Sequence, residues 1–375
     1  MKRLVIFRSN LLPISETFIR DQAGALLQWQ PVLMGFNEIA EGLSTPEIQR
    51  EIVSEGSNSL VRALRFWLCL GNPKMIKRFR ELNISLVHAH FGTSATRIWP
   101  SIKSAGLPLI VTLHGNDITV DRAWWEAGLG GLRGRVYPRR LLRMARDPNV
   151  SFIAVSEAIR KSAIEYGVPA EKITVSYIGV NTDRMKPGPM PMSARRKRIL
   201  FVGRMVEKKA PMLMVRAFVG VCKRVDNAEL VMIGSGPLLA EAKGLAVELG
   251  VPITFLGACT HEKVLEQLHE ARVFCLPSIK ASNGDKEGLP ISILEALACG
   301  VPVVTSASGA VNEVIHPNIS GLPVMENDLD GLQGALVELL CESNEMLSII
   351  ARQYCIDHFN LNAHARHLET LYDQQ

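Results

Sequence analysis

Pro187-Gly-Pro-Met-Pro-Met-Ser-Ala-Arg-Arg-Lys-Arg198 runs directly into Ile199-Leu-Phe-Val202. The prolines remove backbone donors and a basic run follows them, so residues 187–198 suit neither a helix nor a central strand and read as a linker. Residues 199–202 open a series of short apolar runs that recurs at 230–233, 254–256, 273–276 and 301–305. A similar series precedes the interruption, at 4–7, 86–90, 109–113 and 152–155. Short apolar runs bounded by turn residues suit parallel strands buried on both faces. Helical patterns lie between them, including a basic amphipathic stretch at 62–80 that Gly71-Asn72-Pro73 interrupts. This alternation, made twice, predicts an α/β protein of two Rossmann-like doubly wound lobes. The first lobe spans 1–186 and the second 199–355, and 346–372 is helical in pattern. Ligands of such sheets bind at the carboxyl ends of the strands, so the expected site is the cleft between the lobes.

The 375 residues suffice for two cores, and 47% hydrophobic with 21% charged residues describes a folded chain. The apolar run at 4–7 is far too short for a signal peptide, and no stretch of 18 apolar residues without charge predicts a membrane span. Seven scattered cysteines, odd in number and without a C-x-x-C pair, argue for a reducing cytoplasm and against a disulfide framework or structural zinc. Residues 1–190 hold 25 Lys and Arg against 16 Asp and Glu, whereas 191–375 hold 17 against 21. The basic half is expected to meet something anionic.

Two stretches of the second lobe carry the chemistry. Gly203-Arg204-Met-Val-Glu-Lys208-Lys209 follows strand 199–202, where a glycine allows a sharp turn. Arg204 and Lys209 then stand as two cations, suited to a diphosphate leaving group that gains negative charge. Glu287-Gly288-Leu289-Pro290-Ile291-Ser-Ile-Leu-Glu295 opens a helix, with Pro290 in its first turn. That helix should run to Cys299, stop at Gly300 and be barred from continuing by Pro302. Its N-terminus offers free N–H groups and a positive dipole end to phosphate. Glu295 is placed to accept hydrogen bonds from a ribose diol, and Glu287 to meet sugar hydroxyls.

The E-x7-E pattern, preceded by Arg204 and Lys209, resembles the retaining glycosyltransferase family 4, with its GT-B fold of two lobes facing across a cleft. Val202-Gly203-Arg204 with Glu207-Lys208-Lys209, Gly234-Ser-Gly-Pro237 and Val301-Pro-Val-Val304 fall where that family has its motifs. Ser15-Glu16-Thr17-Phe18 resembles a segment of members that build bacterial colanic-acid-type exopolysaccharides. The resemblance implies that Arg204 and Lys209 bind the diphosphate, that Glu287 contacts the donor sugar and that Glu295 holds the ribose. It places Gly288, Leu289, Pro290 and Ile291 at the phosphates and adds Gly234 and Gly257 to the donor site. It also implies a helix over 356–375 packed back on the first lobe. Two departures stand out: Ala210 replaces the usual glycine, read as a small change, and Leu289-Pro290 replaces Phe-Gly, removing one N–H donor.

In the first lobe, His114-Gly115-Asn116-Asp117 ends strand 109–113 and resembles the family's H-G-x-D segment, making His114 the candidate to touch the reacting sugar. Ser15, Glu16, Thr17, His90 and Asn116 are expected at the acceptor. His88, His90 and His114 make a poor metal triad, since no carboxylate or cysteine cluster supports them. Asp328-Leu329-Asp330 copies a metal-binding D-x-D but precedes a helix, so capping accounts for it. No metal and no cofactor is expected, the nucleotide sugar being a co-substrate. Arg133, Arg135, Arg139, Arg140, Arg143 and Arg146, with Trp124 and Trp125 upstream, suit an anionic membrane face. No recognition module points to nucleic acid. The expected activity is retaining transfer from a UDP- or GDP-linked sugar to a glycan, carried on a lipid at the inner membrane face, in exopolysaccharide or lipopolysaccharide synthesis. The rivals are a nucleotide-sugar epimerase of similar build and a non-catalytic scaffold. The four polar residues of the two motifs together count against the scaffold. The incomplete glycine fingerprint at 234–237 counts against a dehydrogenase.

Overall fold

The computed structural model describes every residue except Ile14, Ala40, Glu41, Pro46, 56–58 and 307–308, and the side chains of Ser59, Leu60 and Arg62. The chain divides into two compact units, one of residues 1–179 with 361–375, the other of 180–360.

The strands of the first unit are β1 (Lys2–Phe7), β2 (Asn10–Leu11), β3 (Trp29–Gly35), β4 (Asn37–Glu38), β5 (Gln49–Ile52), β6 (Ile84–His90), β7 (Leu109–Leu113), β8 (Val150–Ala154) and β9 (Ile173–Val175). Seven form a parallel sheet in the order β5-β3-β1-β6-β7-β8-β9, and β2 pairs with β4. The second unit holds β10 (Arg198–Val202), β11 (Glu229–Ile233), β12 (Ile253–Gly257), β13 (Val273–Leu276), β14 (Val303–Ser306) and β15 (Gly321–Val324), all parallel, ordered β12-β11-β10-β13-β14-β15. Each order turns back at its first strand, giving a switch point at β1/β6 and another at β10/β13. There, neighbouring loops leave in opposite directions and open a crevice at the carboxyl edge.

The buried central strands are apolar for the reason parallel sheets demand: helices cover both faces. Leu4, Val5, Ile6 and Phe7 of β1, like Ile199, Leu200 and Phe201 of β10, are fully buried.

Residues 187–198 do not form a linker. They belong to the second unit and form a packed strap with a 3-10 turn at Met192–Ala194. Arg195, 4% exposed, donates to the Leu268 and Ala271 carbonyls at the end of helix His261–Glu270. Arg272 returns bonds to the Ser193 and Arg195 carbonyls. The prolines exclude helix and strand as expected, but the arginines satisfy carbonyls that a free linker would leave to water. The division instead falls after Gly179 and after Asn360, where helices Glu345–Phe359 and Leu361–Asp373 part.

The last helix belongs to the first unit, not the second. Ala365, Leu368, Leu371 and Tyr372 join its core with Leu4, Ile6 and Trp29. Glu369, buried, accepts through one oxygen from the backbone N–H groups of Leu27, Gln28 and Trp29 at 2.8, 2.6 and 3.1 Å. Glu369→Ala would leave the buried Trp29 N–H unpaired, costing about 1–3 kcal/mol, and would open the Leu27 and Gln28 N–H groups to water. A urea titration should show a lowered midpoint for this variant; an unchanged midpoint would contradict the anchoring role.

Candidate active site

The site of the second unit grows from its switch point. β10 ends at Val202 and β13 at Leu276, so residues 203–209 and 277–290 leave side by side. The Ile279 N–H donates to the Lys208 carbonyl at 2.8 Å, and Glu207 accepts from the Ser282 N–H and hydroxyl. Lys208 pairs with Asp285 at 3.0 Å. These contacts bring Lys209 Nζ to 2.8 Å from Glu287 Oε1, which also accepts from Ser278 Oγ at 3.0 Å.

Glu287 is 7% exposed. Burial raises its pKa, but Lys209 and Lys208, with hydrogen bonds from Lys209 and Ser278, outweigh burial and hold the carboxyl below its usual value. Burial chiefly lowers the Lys209 ammonium, with Lys208 and Arg204 adding to it and Glu287 opposing. No hydrogen bond to Oε2 of Glu287 is made among the described residues, which leaves that oxygen able to accept from a ligand hydroxyl. Arg204 is exposed, and its guanidinium has no partner among the described residues.

Helix Ile291–Ala298 begins one residue later than the sequence suggested, with Pro290 as its N-cap. The Ile291 and Ser292 N–H groups have no acceptor among the described residues, as the first turn of a helix requires. Gly288, Leu289, Pro290 and Ile291 therefore surround an open helix N-terminus beside Glu287. The helix stops as expected: Cys299 caps it, Gly300 turns left-handed at φ 67°, and Val301 N–H returns to the Ala296 carbonyl. Inside the helix, buried Glu295 receives His261 Nε2 at 2.7 Å. A carboxylate only accepts, so Nε2 carries the proton, and Glu295 Oε2 makes no hydrogen bond among the described residues. His261, first residue of its helix, is a site residue the sequence reading missed.

Two glycine expectations change. Gly203 does not adopt the left-handed backbone; Gly234 does, at φ 137°, and a Cβ there would lie 1.9 Å from the Gly203 carbonyl oxygen. Gly234 thus lets the loops after β10 and β11 touch, while Gly257, at φ 69°, turns the chain after β12 and accepts from Gly234 N–H. Ala210 is not a small change. It is left-handed, at φ 48° and ψ 50°, immediately before helix Pro211–Cys222. Its Cβ carries a strain that glycine would not.

The first unit has a polar cluster at its own switch point. Arg8, just beyond β1, holds Glu16 through both oxygens at 2.7–3.0 Å and donates to Ser94 Oγ at 2.8 Å. Arg8 was not foreseen; its signal is a cation directly after the central strand. Asp117, fully buried, accepts from the His114, Gly115 and Gly92 N–H groups, tying the loops after β6 and β7 together. Burial raises its carboxyl, against the pull of those N–H groups. His114 is part-buried against Phe18 and Phe91, and Asn116 and Ser15 are exposed, with Thr17 between. His90 does not line a surface: at 1% exposure its ring lies beneath His114. His88, His90 and His114 do converge, but among the described residues no group of three His, Cys, Asp or Glu side chains is placed for a metal. Asp328 caps helix Leu329–Cys341, its carboxylate accepting from Gly331 N–H at 2.9 Å.

Comparison with known proteins adds a lineage to this geometry. The family model for glycosyl transferases group 1 matches residues 190–354, and that for glycosyltransferase family 4 matches 40–184. A GDP-mannose-dependent monoacylated alpha-(1-6)-phosphatidylinositol monomannoside mannosyltransferase of Corynebacterium glutamicum is 34% identical over 324 residues, covering 74% of this chain and 84% of that protein. The chain belongs to glycosyltransferase family 4. This family 4 glycosyltransferase is also 27% identical to the amylovoran biosynthesis glycosyltransferase AmsK of Erwinia amylovora, over 78% of this chain and 70% of that protein. It is 30% identical to the putative colanic acid biosynthesis glycosyltransferase WcaL of Escherichia coli, over 55% and 52%. Its fold is GT-B: Anabaena HepE, solved with UDP-glucose, superposes over the whole of both chains with a TM-score of 0.83 at 16% identity.

Two stability measurements check this site. Ala210→Gly relieves the left-handed strain, offset by the freer unfolded chain, and should stabilise by about 0.5–1 kcal/mol in urea; destabilisation would contradict the strained backbone. Glu287 is depressed on folding, so its contribution is present above the ordinary glutamate value of 4.5 and is lost as pH falls below it. Glu287→Gln should therefore show a shallower fall of stability on acidification than wild type; an equal slope would contradict the Lys209 pairing.

Proposed function

We propose that this glycosyltransferase moves a sugar, with retention of configuration, from a nucleoside diphosphate sugar to a glycan acceptor carried on a lipid. The observation that carries the reading is the convergence, at the second unit's switch point, of free Arg204, the Lys209–Glu287 pair and the open N-terminus of helix Ile291–Ala298. A diphosphate leaving group gains charge as the glycosidic bond breaks, and fixed cations and backbone N–H groups stabilise that charge without reorganising. Glu287 Oε2 meets a hydroxyl of the donor sugar, and Glu295, steadied by His261, accepts from the ribose diol. No side chain is needed as nucleophile: the departing phosphate takes the acceptor proton on the same face. Charge neutralisation falls to Arg204 and Lys209, so the reaction proceeds without a metal. A UDP- or GDP-linked donor is supported by relatives described as GDP-mannose-dependent and by the UDP-glucose complex of HepE.

A lipid-borne acceptor, and work on the inner membrane face, are supported by the surface of the first unit. No described helix is long and apolar enough to cross a membrane. Helix Ser59–Trp67 and the turn after it expose Val61, Leu64, Trp67, Leu68 and Leu70. Beneath them, Phe66 is stacked by Arg140 at 3.7 Å and Arg133 at 5.1 Å. Arg140 is thus a packing residue, its guanidinium lowered by burial, while Arg139, Arg143 and Arg146 remain exposed. Apolar residues flanked by arginines suit an anionic interface. Exopolysaccharide assembly is the pathway class suggested by the amylovoran and colanic acid relatives.

Arg204→Ala should lower turnover of the donor by about 10²–10³-fold, as loss of one charge-stabilising group does, with an unchanged melting curve because the side chain is unpartnered. Wild-type turnover would overturn the role given to Arg204. Leu64→Ser with Trp67→Ser should weaken cosedimentation with phosphatidylglycerol vesicles at low salt; undiminished binding would overturn the membrane face.

A further inference from the structure

His88 and His90 share one face of β6, their ring centroids 4.4 Å apart and tilted by 34°, with His114 stacked on His90 at 5.2 Å. His88 is saturated: Nδ1 meets the Tyr372 hydroxyl at 2.7 Å and Nε2 meets Thr112 Oγ1 at 2.6 Å. His90 Nδ1 lies 3.0 Å from His114 Nε2, and its other nitrogen, Nε2, is buried with no partner. His114 Nδ1 has no hydrogen-bond partner among the described residues, and the residue is only part-buried, between Phe18 and Phe91. Burial holds His88 down at about 3, and burial first, then neighbouring charges including Arg8, keeps His90 and His114 well below the ordinary histidine value. Each ring therefore carries one proton, and only one proton lies between His90 Nδ1 and His114 Nε2.

That proton has two possible owners. If His114 Nε2 owns it, His90 must carry its own proton on Nε2, a buried N–H with no acceptor among the described residues. If His90 Nδ1 owns it, the orphan at His90 Nε2 is a bare lone pair, and His114 is left protonated on Nδ1. Among backbone groups, orphaned buried N–H donors are rarer than under-satisfied carbonyls, and the same preference is extended here to the buried imidazole.

We propose that His90 is a positioning residue that donates from Nδ1 to His114 Nε2 and so locks His114 as the Nδ1–H tautomer, presenting a hydrogen-bond donor at the first unit's switch point to an oxygen of a sugar bound there. Nε2, the nitrogen usually protonated in free histidine, is thereby occupied. His114 is then a donor to the sugar and neither a base nor a nucleophile, which agrees with a reaction needing no side-chain nucleophile. The sugar as recipient rests on the glycosyltransferase reading; the tautomer does not.

The test is ¹⁵N-histidine NMR of the full chain, with the His114 signals assigned through their loss in His114→Asn. In wild type, His114 Nε2 should resonate as a pyridine-type nitrogen and Nδ1 as a pyrrole-type one. His90→Phe, which keeps the stacked ring but removes the donor, should shift His114 toward the Nε2–H tautomer. His90→Asn, whose side-chain amide restores a donor near the Nδ1 position, should return it. Turnover should follow the same order, falling at least about 10-fold in His90→Phe and recovering in His90→Asn. A pyrrole-type Nε2 on His114 in wild type, or a tautomer unmoved in His90→Phe, would overturn the proposal. Because the NMR readout needs no donor, it stands or falls separately from the activity; an intact tautomer lock without sugar transfer would count against the function instead.

Discussion

The strand order β12-β11-β10-β13-β14-β15 is the constraint on which the site depends. Because the order reverses at β10, the loops after β10 and β13 are neighbours although some seventy residues separate them in the chain. That adjacency gives Lys209 a carboxylate partner at 2.8 Å. Two buried charges are tolerable only when paired and further hydrogen-bonded. Here Ser278 supplies the extra bond, and Lys208–Asp285 and Glu207–Ser282 stitch the same two loops. The pair thus fixes a carboxylate oxygen and an ammonium at the crevice before any ligand arrives.

The first unit repeats the device with other residues. Arg8 follows β1 as residues 203–209 follow β10, and its partner Glu16 and the Ser94 hydroxyl stand where Glu287 and Ser278 stand in the second unit's logic. In both, a cation emerges beside the switch point, but the serines differ: Ser278 donates to Glu287 from the loop after β13, whereas Ser94, in helix Gly92–Ala105 after β6, accepts from Arg8. The first unit differs in the histidines behind it, which are held uncharged by burial and can offer hydrogen bonds but no charge. The first unit's charges at its switch point are thus Arg8 and Glu16, paired with each other, and the histidines add none.

Central strands were legible in the sequence because burial on both faces makes them continuous apolar runs: 109–113 and 273–276 match β7 and β13 residue for residue. The strands that escaped notice lack that pattern. β3 contains Pro31, β5 reads Gln-Arg-Glu-Ile at a sheet edge, β9 has three residues and β15 includes Pro323. The motifs at 203–209 and 287–295 were legible as family patterns because the residues of each are local in sequence. Arg8 and His261 were not, since their roles come from partners brought together by folding: Ser94, 86 residues from Arg8, and Glu295, 34 residues from His261. Residues 187–198 were misread because proline content reports what the backbone avoids and says nothing about Arg195 docking on helix carbonyls.

The central claim is that the second unit binds a nucleoside diphosphate sugar at its switch point. Thermal unfolding with a panel of nucleotides and nucleotide sugars tests it most directly, since a ligand at a hundredfold excess over its dissociation constant stabilises the folded state by about 2.7 kcal/mol. The account predicts that at least one UDP- or GDP-linked sugar raises the melting temperature, and that Glu295→Ala removes the rise. A panel in which no nucleoside diphosphate or nucleotide sugar stabilises the protein would contradict it.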